Sequence, residues 1–444
     1  MAHRRALLLS ALLLIAATPY EPPKSADRIV YRHGSVIDGT GAAIRADMAV
    51  ITDGERIGAV LPDSALTAAQ LKGAKHVDLT GKFLLPGYID THQHLATPPD
   101  RPEAEARLKR DICSGITATR DMADDLRQIA DITRAARVGE IPSPDINYAA
   151  LMAGPSFFDD PRTQAIAYGA VAGQVPWEQA IDEATDMPLA VARAKGTYAT
   201  AVKIYANLPG DLVAKITAEA RRQGMRTWAH GMVFPATPSE VVDAGVDTVS
   251  HSCYLAYQAM AKRPDSYQHR FPVDASLFKQ DNPAMAKLFA DMAARGTILD
   301  ATVHVYREVE AAAKKSGKPP LCTVALAGKL TNQAWRAGVR ISTGTDGDTP
   351  LGEPWPSLFD EFQLLHDVAG LTPMAIIQAA TSNGAKAMGA EAEMGSIAPG
   401  KLANLVVLSA NPLKDVRNLR SVVTTVKRGR AYSRADYRPS AKAR

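Results

Sequence analysis

The chain has 444 residues, 46% of them hydrophobic and 22% charged, the balance of a globular protein with a substantial core and not of a disordered or fibrous chain. Its formal net charge is only +4, spread along the length, so no electrostatic footprint for nucleic acid is expected; the basic clusters such as Lys427-Arg428-Gly429-Arg430 read as solvated surface. Cys113, Cys253 and Cys322 are odd in number and far apart, make no zinc-ribbon spacing or disulfide framework, and read as small buried hydrophobes.

His3-Arg4-Arg5 precedes an apolar run over residues 6–17, interrupted only by Ser10, and small residues and prolines follow. That order is the order of a secretory signal peptide. Residues 1–25 are therefore assigned to a signal and linker, and the protein is expected to be secreted or periplasmic. The run falls short of the roughly 20 residues a spanning helix needs, so no stable membrane span is expected and a retained anchor is the second reading.

Short strand-like runs broken by turns, such as Ile29-Val30-Tyr31 and Met48-Ala49-Val50-Ile51, fill the next segment. Leu405-Val406-Val407-Leu408 and Val422-Val423-Thr424-Thr425-Val426 read the same way near the far end. Residues 26–85 and 391–434 are assigned together to a small β-sandwich domain, and 435–444 to a tail. From 86 to 390, eight short apolar strands alternate with Ala-rich helical stretches, among them 211–223, 285–295 and 328–337. Such alternation implies parallel strands with crossover helices, and eight units fit an α/β fold of the (β/α)8 TIM-barrel type, an open doubly wound sheet being the alternative. Two connections, residues 152–188 and 254–283, are long for simple crossovers and rich in aromatic residues; they suit either binding loops or rim packing.

The chemistry-bearing residues fall at strand ends. His92 and His94 lie two apart after the first barrel strand, and side chains at i and i+2 of a strand share a face. His230 and His251 end the fifth and sixth strands and Asp346 the eighth. In a parallel barrel the C-terminal strand ends converge on the catalytic face. Lys203, in Ala201-Val202-Lys203-Ile204-Tyr205, is a charged group within an apolar strand. It is either ion-paired with a carboxylate or a desolvated amine of lowered pKa, able to take up carbon dioxide as a carbamate that bridges two cations. By alternation Tyr205 shares its face and is either a hydrogen-bond donor to a reacting carbonyl or barrel core. His304 reads as a surface histidine, with a substrate contact as the other reading, and Asp348 as a loop residue or a group behind the ligands.

The pattern resembles the amidohydrolase superfamily over nearly the whole mature chain. The resemblance rests on residues 81–94, Val202-Lys203-Ile204, His230-Gly231, His251 and Gly344-Thr345-Asp346, with Ala379-Ala380-Thr381-Ser382-Asn383-Gly384-Ala385 and residues 395–406. Spacing and flanks are most similar to the imidazolonepropionase-like and prolidase-like branch. The resemblance implies two divalent metal ions, usually zinc. His92 and His94 would bind the more buried ion, His230 and His251 the more exposed one, with carboxylated Lys203 bridging both. Asp346 would ligate the buried ion and act as the catalytic acid and base, with Tyr205 the weaker catalytic candidate. The expected reaction is hydrolysis by a metal-bridging hydroxide of an amide or peptide-like bond in a small molecule, a dipeptide or N-acyl amino acid. The alternatives are a one-metal cyclic amidine or imidazolone hydrolase or deaminase, and a lactone or ester hydrolase on the same site; a homo-oligomer is left open.

Overall fold

The computed structural model describes residues 28–347 and 349–439, so the signal segment and Asp348 lie outside the described residues. Eight parallel strands run in sequence order: Tyr88–Gln93, Ile116–Asp121, Asp145–Ala153, Ala201–Ile204, Arg226–His230, Thr248–Ser250, Ile298–Asp300 and Ile341–Ser342. Each pairs with the next through a parallel ladder. The eighth meets the first through Thr91 N–H on the Thr343 carbonyl at 2.8 Å and Asp346 N–H on the His92 carbonyl at 2.9 Å. These two bonds bring the barrel to near closure and set the backbone of Asp346 against that of His92.

The crossover helices start where their sequences say they should. Asp100, Asp125, Asp186, Thr237, Asn282 and Thr323 each cap a helix N-terminus by accepting a backbone N–H, and proline occupies the first turn of four of these helices. The three predicted helical stretches appear as Gly210–Arg222, Pro283–Arg295 and Val324–Arg336. Their buried faces carry residues such as Leu212, Val213 and Ile216, or Leu288, Phe289 and Met292, the three-to-four spacing of a core-facing stripe. Inside the barrel Trp228 is wholly buried, its indole N–H donating to the Ala387 carbonyl at 3.1 Å and its ring lying 4.5 Å from the Arg120 guanidinium.

The end segments form a second, mixed sheet of eight strands. Arg28–Val36, Arg45–Asp53, Arg56–Pro62, Lys75–Asp78 and Phe83–Pro86 come from one end, and Leu405–Leu408, Val422–Lys427 and Arg430–Ser433 from the other. The two halves join where Phe83–Pro86 pairs antiparallel with Leu405–Leu408. Apolar clusters cover both faces, Tyr31, Val50 and Leu405 on one and Val30, Ala49 and Ile51 on the other.

Two expectations are corrected. Lys427 and Arg428 are not solvated: both are buried and converge on Asp145 at 3.1 and 2.9 Å, fastening this sheet to the third barrel strand. The run pointed to the surface because its charges were read without the carboxylate they meet 283 residues earlier. Cys253 and Cys322 are disulfide-bonded, with Cα atoms 6.3 Å apart, whereas Cys113 is free and buried as expected. A pairing across 69 residues, between the short helix Ser252–Leu255 and a loop, leaves no local signal in the sequence. Among the described residues, no helix is long and apolar enough to cross a membrane.

Candidate metal centre

Five of the predicted site residues meet at the C-terminal rim of the barrel around the Asp346 carboxylate. His92 Nε2 and His94 Nε2 each lie 3.5 Å from it, and His251 Nε2 lies 3.7 Å from it. His230 stands beside His251, ring centroids 4.8 Å apart. Donor atoms of His92, His251 and Asp346 all fall within 4.8 Å of one another, the spacing of a shared cation; His94 and His230 flank that trio.

The far side of three imidazoles is tied down. His92 Nδ1 meets Asp300 at 2.8 Å, His94 Nδ1 meets Asp124 at 2.7 Å and His251 Nδ1 meets the Thr302 hydroxyl at 2.8 Å. A hydrogen bond at Nδ1 fixes the ring and leaves Nε2 as the free donor facing the centre, the arrangement seen behind metal-ligating histidines. Asp300 also accepts from Thr91 and Ser250 hydroxyls at 2.8 and 3.0 Å and from Arg120 at 3.2 Å, so one carboxylate organises three strands. Asp90 plays a similar part between the first and eighth strands, accepting the backbone N–H of His92 and Thr345 at 3.1 and 3.3 Å.

Backbone geometry concentrates strain here. His251 and Asp346 both adopt left-handed φ values, 73° and 45°, which cost non-glycine residues on the order of 1–3 kcal/mol each and persist only where surroundings enforce them. Gly344 is required on steric grounds: a Cβ there would lie 2.2 Å from an Asp300 carboxylate oxygen and 2.6 Å from His92 Cβ.

The electrostatics suit a cation. Burial pushes the imidazoles of His92, His230 and His251 down, the last to about 3, keeping them neutral and able to donate a lone pair. Burial likewise works against charge on His94, but Asp124 and Asp346 outweigh it and hold a proton there up to about 10. For Asp346 burial opposes ionisation, yet the surrounding imidazoles keep its carboxyl far below the usual range. Lys203 is fully buried and burial pushes its amine down to about 7. The ion-pair reading of Lys203 does not hold among the described residues: its Nζ has no hydrogen-bond partner there and no carboxylate within ion-pairing distance. His230 Nδ1 is likewise buried without a partner. Those two orphaned atoms belong to the residue assigned as the bridge and to one assigned to the second ion, so the donor set fits metal.

A cavity of about 420 Å³ opens above this floor. Both long connections line it. The first supplies Phe157 and Arg162, the second Tyr254, Tyr267 and Arg270. Tyr205 faces the cavity and not the barrel core. Its ring lies 4.0 Å from that of His230, and its hydroxyl accepts from Arg162 and meets Tyr267, at 3.2 and 3.4 Å. His304 is buried, its backbone N–H donating to Glu361 at 2.7 Å, which corrects the surface reading. Of the residues the sequence reading missed, Asp300 had a signal: it ends the seventh strand level, through Ser250, with His230 at the end of the fifth. Asp124 follows the second strand closely, whereas Arg162 and Arg270 lie in segments without periodicity.

The amidohydrolase family profile matches residues 83–432. An imidazolonepropionase of Arthrobacter sp. (strain FB24) is 40% identical over 111 residues, covering 23% of this chain and 26% of that protein. An ochratoxinase of Aspergillus niger is 36% identical over 90 residues, 20% of this chain and 18% of that protein, so the matched segments span about a quarter or less of either relative. Among solved structures, a Xaa-Pro dipeptidase with bound methionine superposes with a TM-score of 0.70 at 21% identity, covering 91% of this chain and 100% of that one. The A. niger ochratoxinase structure gives 0.72 at 20% identity, with 95% and 99% covered, and a molinate hydrolase 0.71 at 17%, with 95% and 97% covered. At these identities the structures speak for the barrel and its companion sheet; the profile match over most of the length, on a rim built of four histidines, a lysine and an aspartate, makes this chain a member of the amidohydrolase family.

Proposed function

We propose that this amidohydrolase is a two-metal enzyme cleaving an amide or peptide-like bond in a small molecule such as a dipeptide or N-acyl amino acid. The observation that carries the reading is the pair of orphaned atoms, Lys203 Nζ and His230 Nδ1, beside three imidazoles already fixed from behind. A bare ammonium would repel a cation, whereas the low-pKa amine can become an anionic carbamate able to bridge two. Divalent ions held there, zinc by the donor types, would supply an activated water and polarise the scissile carbonyl. Asp346, at the centre of the imidazoles and ionised, is placed to take the proton of the attacking water and return it to the leaving amine. Tyr205, lining the cavity against His230, is the second candidate to contact the reacting group. A structural neighbour named as a Xaa-Pro dipeptidase accords with the peptide-like class, and the imidazolonepropionase match accords with the cyclic amidine or imidazolone alternative.

Metal analysis of purified protein, paired with a screen of dipeptides, N-acyl amino acids and lactones, tests the reading. About two equivalents of divalent metal and turnover of an amide are expected. One equivalent, with activity surviving Lys203→Ala, would replace it with the one-metal hydrolase; lactones alone as substrates would change the bond assigned.

Export from the cytoplasm is part of the same proposal. The leader-like N-terminus motivates it, and the Cys253–Cys322 bridge, of a kind that persists in oxidising compartments, supports it. N-terminal sequencing of the processed protein checks it, cleavage near residue 25 being the expected result.

A further inference from the structure

We infer that the cavity wall contributed by the two long connections is a built anion subsite, centred on Arg270 and completed by Tyr254, Tyr267 and Arg162, which takes a free carboxylate on the substrate. The inference rests on the proposed hydrolysis for its place in a reaction but on the wall itself for its chemistry.

Arg270 lines the cavity and is held in place without being neutralised. Its Nε donates to the Tyr267 carbonyl at 2.6 Å, one Nη donates to the Tyr254 hydroxyl, and its guanidinium lies 3.4 Å from the Tyr267 ring centroid. Among the described residues it makes no ion pair with any carboxylate. Arg162, facing the same phenols, differs: Asp160 receives its Nε and one Nη at 3.0 and 2.8 Å, so its charge is already balanced. Among the described residues, the carboxylates lining the cavity are Asp111, Glu308 and Asp346, and the last is committed to the imidazoles. A positive charge is therefore fixed in a half-buried wall with rings below it and, among the described residues, no carboxylate within ion-pairing distance, Asp160 acting on it only from further off, an arrangement that costs free energy until an anion arrives.

The phenols make the wall a receptor and not merely a charge. Arg162 donates to the Tyr205 and Tyr267 hydroxyl oxygens, each at 3.2 Å, and Arg270 to that of Tyr254. Tyr205 spends its proton on the Tyr267 hydroxyl at 3.4 Å, whereas Tyr254 and Tyr267, whose oxygens accept from the guanidinium groups, keep theirs for donation, and an anion is the acceptor that gains most from them. The distance to the metal floor is one aromatic ring: Tyr254 stacks on His230 with centroids 5.0 Å apart, and Tyr205 lies 4.0 Å from it. A carboxylate one residue beyond the scissile carbonyl sits about 3.5 Å further along the chain, toward the phenols that carry the wall, with the Arg270 guanidinium 5.8 Å from the Tyr254 centroid. An amino-acid leaving group would thus span from floor to wall, and a neutral amide or ester of it would leave Arg270 uncompensated.

The test uses two probes without a scissile bond that differ by one charge, 4-phenylbutyrate and 4-phenylbutanol, titrated calorimetrically into the metal-loaded protein. The carboxylate is expected to bind at least about tenfold more tightly, the scale of one charge-assisted hydrogen bond. Arg270→Gln should bring the ratio close to one with metal content unchanged, and Arg270→Lys should recover part of it. No preference in the wild type overturns the inference, as does a preference that survives Arg270→Gln, since the carboxylate would then sit on the metal. If Arg270→Gln does not fold, the double variant Tyr254→Phe, Tyr267→Phe decides: it keeps the guanidinium and removes two donors, and an unchanged ratio overturns the subsite. Because neither probe can be hydrolysed, a chain that turns over no amide would refute the proposed reaction while leaving this ratio to be read.

Discussion

The floor and the wall of the cavity are held by different forces. On the floor, His92, His251 and Asp346 are positioned by barrel backbone and by hydrogen bonds to buried carboxylates and hydroxyls, with two residues forced into left-handed φ. On the wall, Phe157, Tyr205 and Tyr267 hold one another through ring contacts, with centroids between Phe157 and Tyr205 4.7 Å apart and between Phe157 and Tyr267 5.5 Å apart, and Tyr254 packs on Phe234 and Tyr257. Arginines stitch the phenols together at the rim. Rigid backbone fixes reacting groups where small displacements are expensive, while a stacked wall can be exchanged without disturbing the chemistry.

Breaking the floor should cost most. Asp346→Asn is expected to lower kcat/KM by at least about 10³-fold, with the circular dichroism spectrum and melting transition retained, as befits loss of a proton-transfer group. Near-wild-type turnover would remove Asp346 from that role. Asp300→Asn should come next, because it loosens His92 and leaves Arg120 buried with a neutral partner. A stability loss of roughly 3–5 kcal/mol and a 10–100-fold drop in metal affinity are expected, read by denaturant titration and chelator competition. If stability and metal binding are both intact, the hub assigned to Asp300 is wrong.

The wall should respond differently. Phe157→Ala is expected to cost about 3 kcal/mol of stability and to raise KM about tenfold, with kcat and metal content little changed. A fall in kcat without a change in KM would show that wall and floor are not separable. The smallest effect concerns Glu178, buried in the short hairpin behind the wall, whose carboxyl burial pushes up to about 8. A carboxyl raised in the folded state binds its proton there when the unfolded chain has lost it, so its contribution to stability declines from about pH 4.5 to about pH 8. Glu178→Gln should therefore be close to neutral at pH 5 and stabilising at pH 9. Parallel stability curves for the two proteins across that range would refute the assignment.

The same contrast decides what was legible. Eight strands, their parallel order and the rim residues follow from alternation and from one register applied to every strand end, and that register also reaches Asp300. The family resemblance added the pairing of ligands and the carbamate. Arg162 and Arg270 left no trace, because what makes them matter is which phenols they meet across loops, as with Arg162 and Tyr267, 105 residues apart. The disulfide and the Asp145 ion pairs were missed for the same reason: their meaning lies in partners distant in sequence.

The sheet shared by the two end segments has a consequence for biosynthesis. Phe83–Pro86 leaves the ribosome with an open apolar edge and receives Leu405–Leu408 only when synthesis is nearly over. Tyr88 waits as long, its hydroxyl donating to the Leu419 carbonyl 331 residues later, and so does Asp145 for Arg428. The barrel is therefore assembled on a base that is finished last, and throughout translation that strand edge is a template for pairing with another chain. A shortened version ending before residue 405 would leave it open permanently.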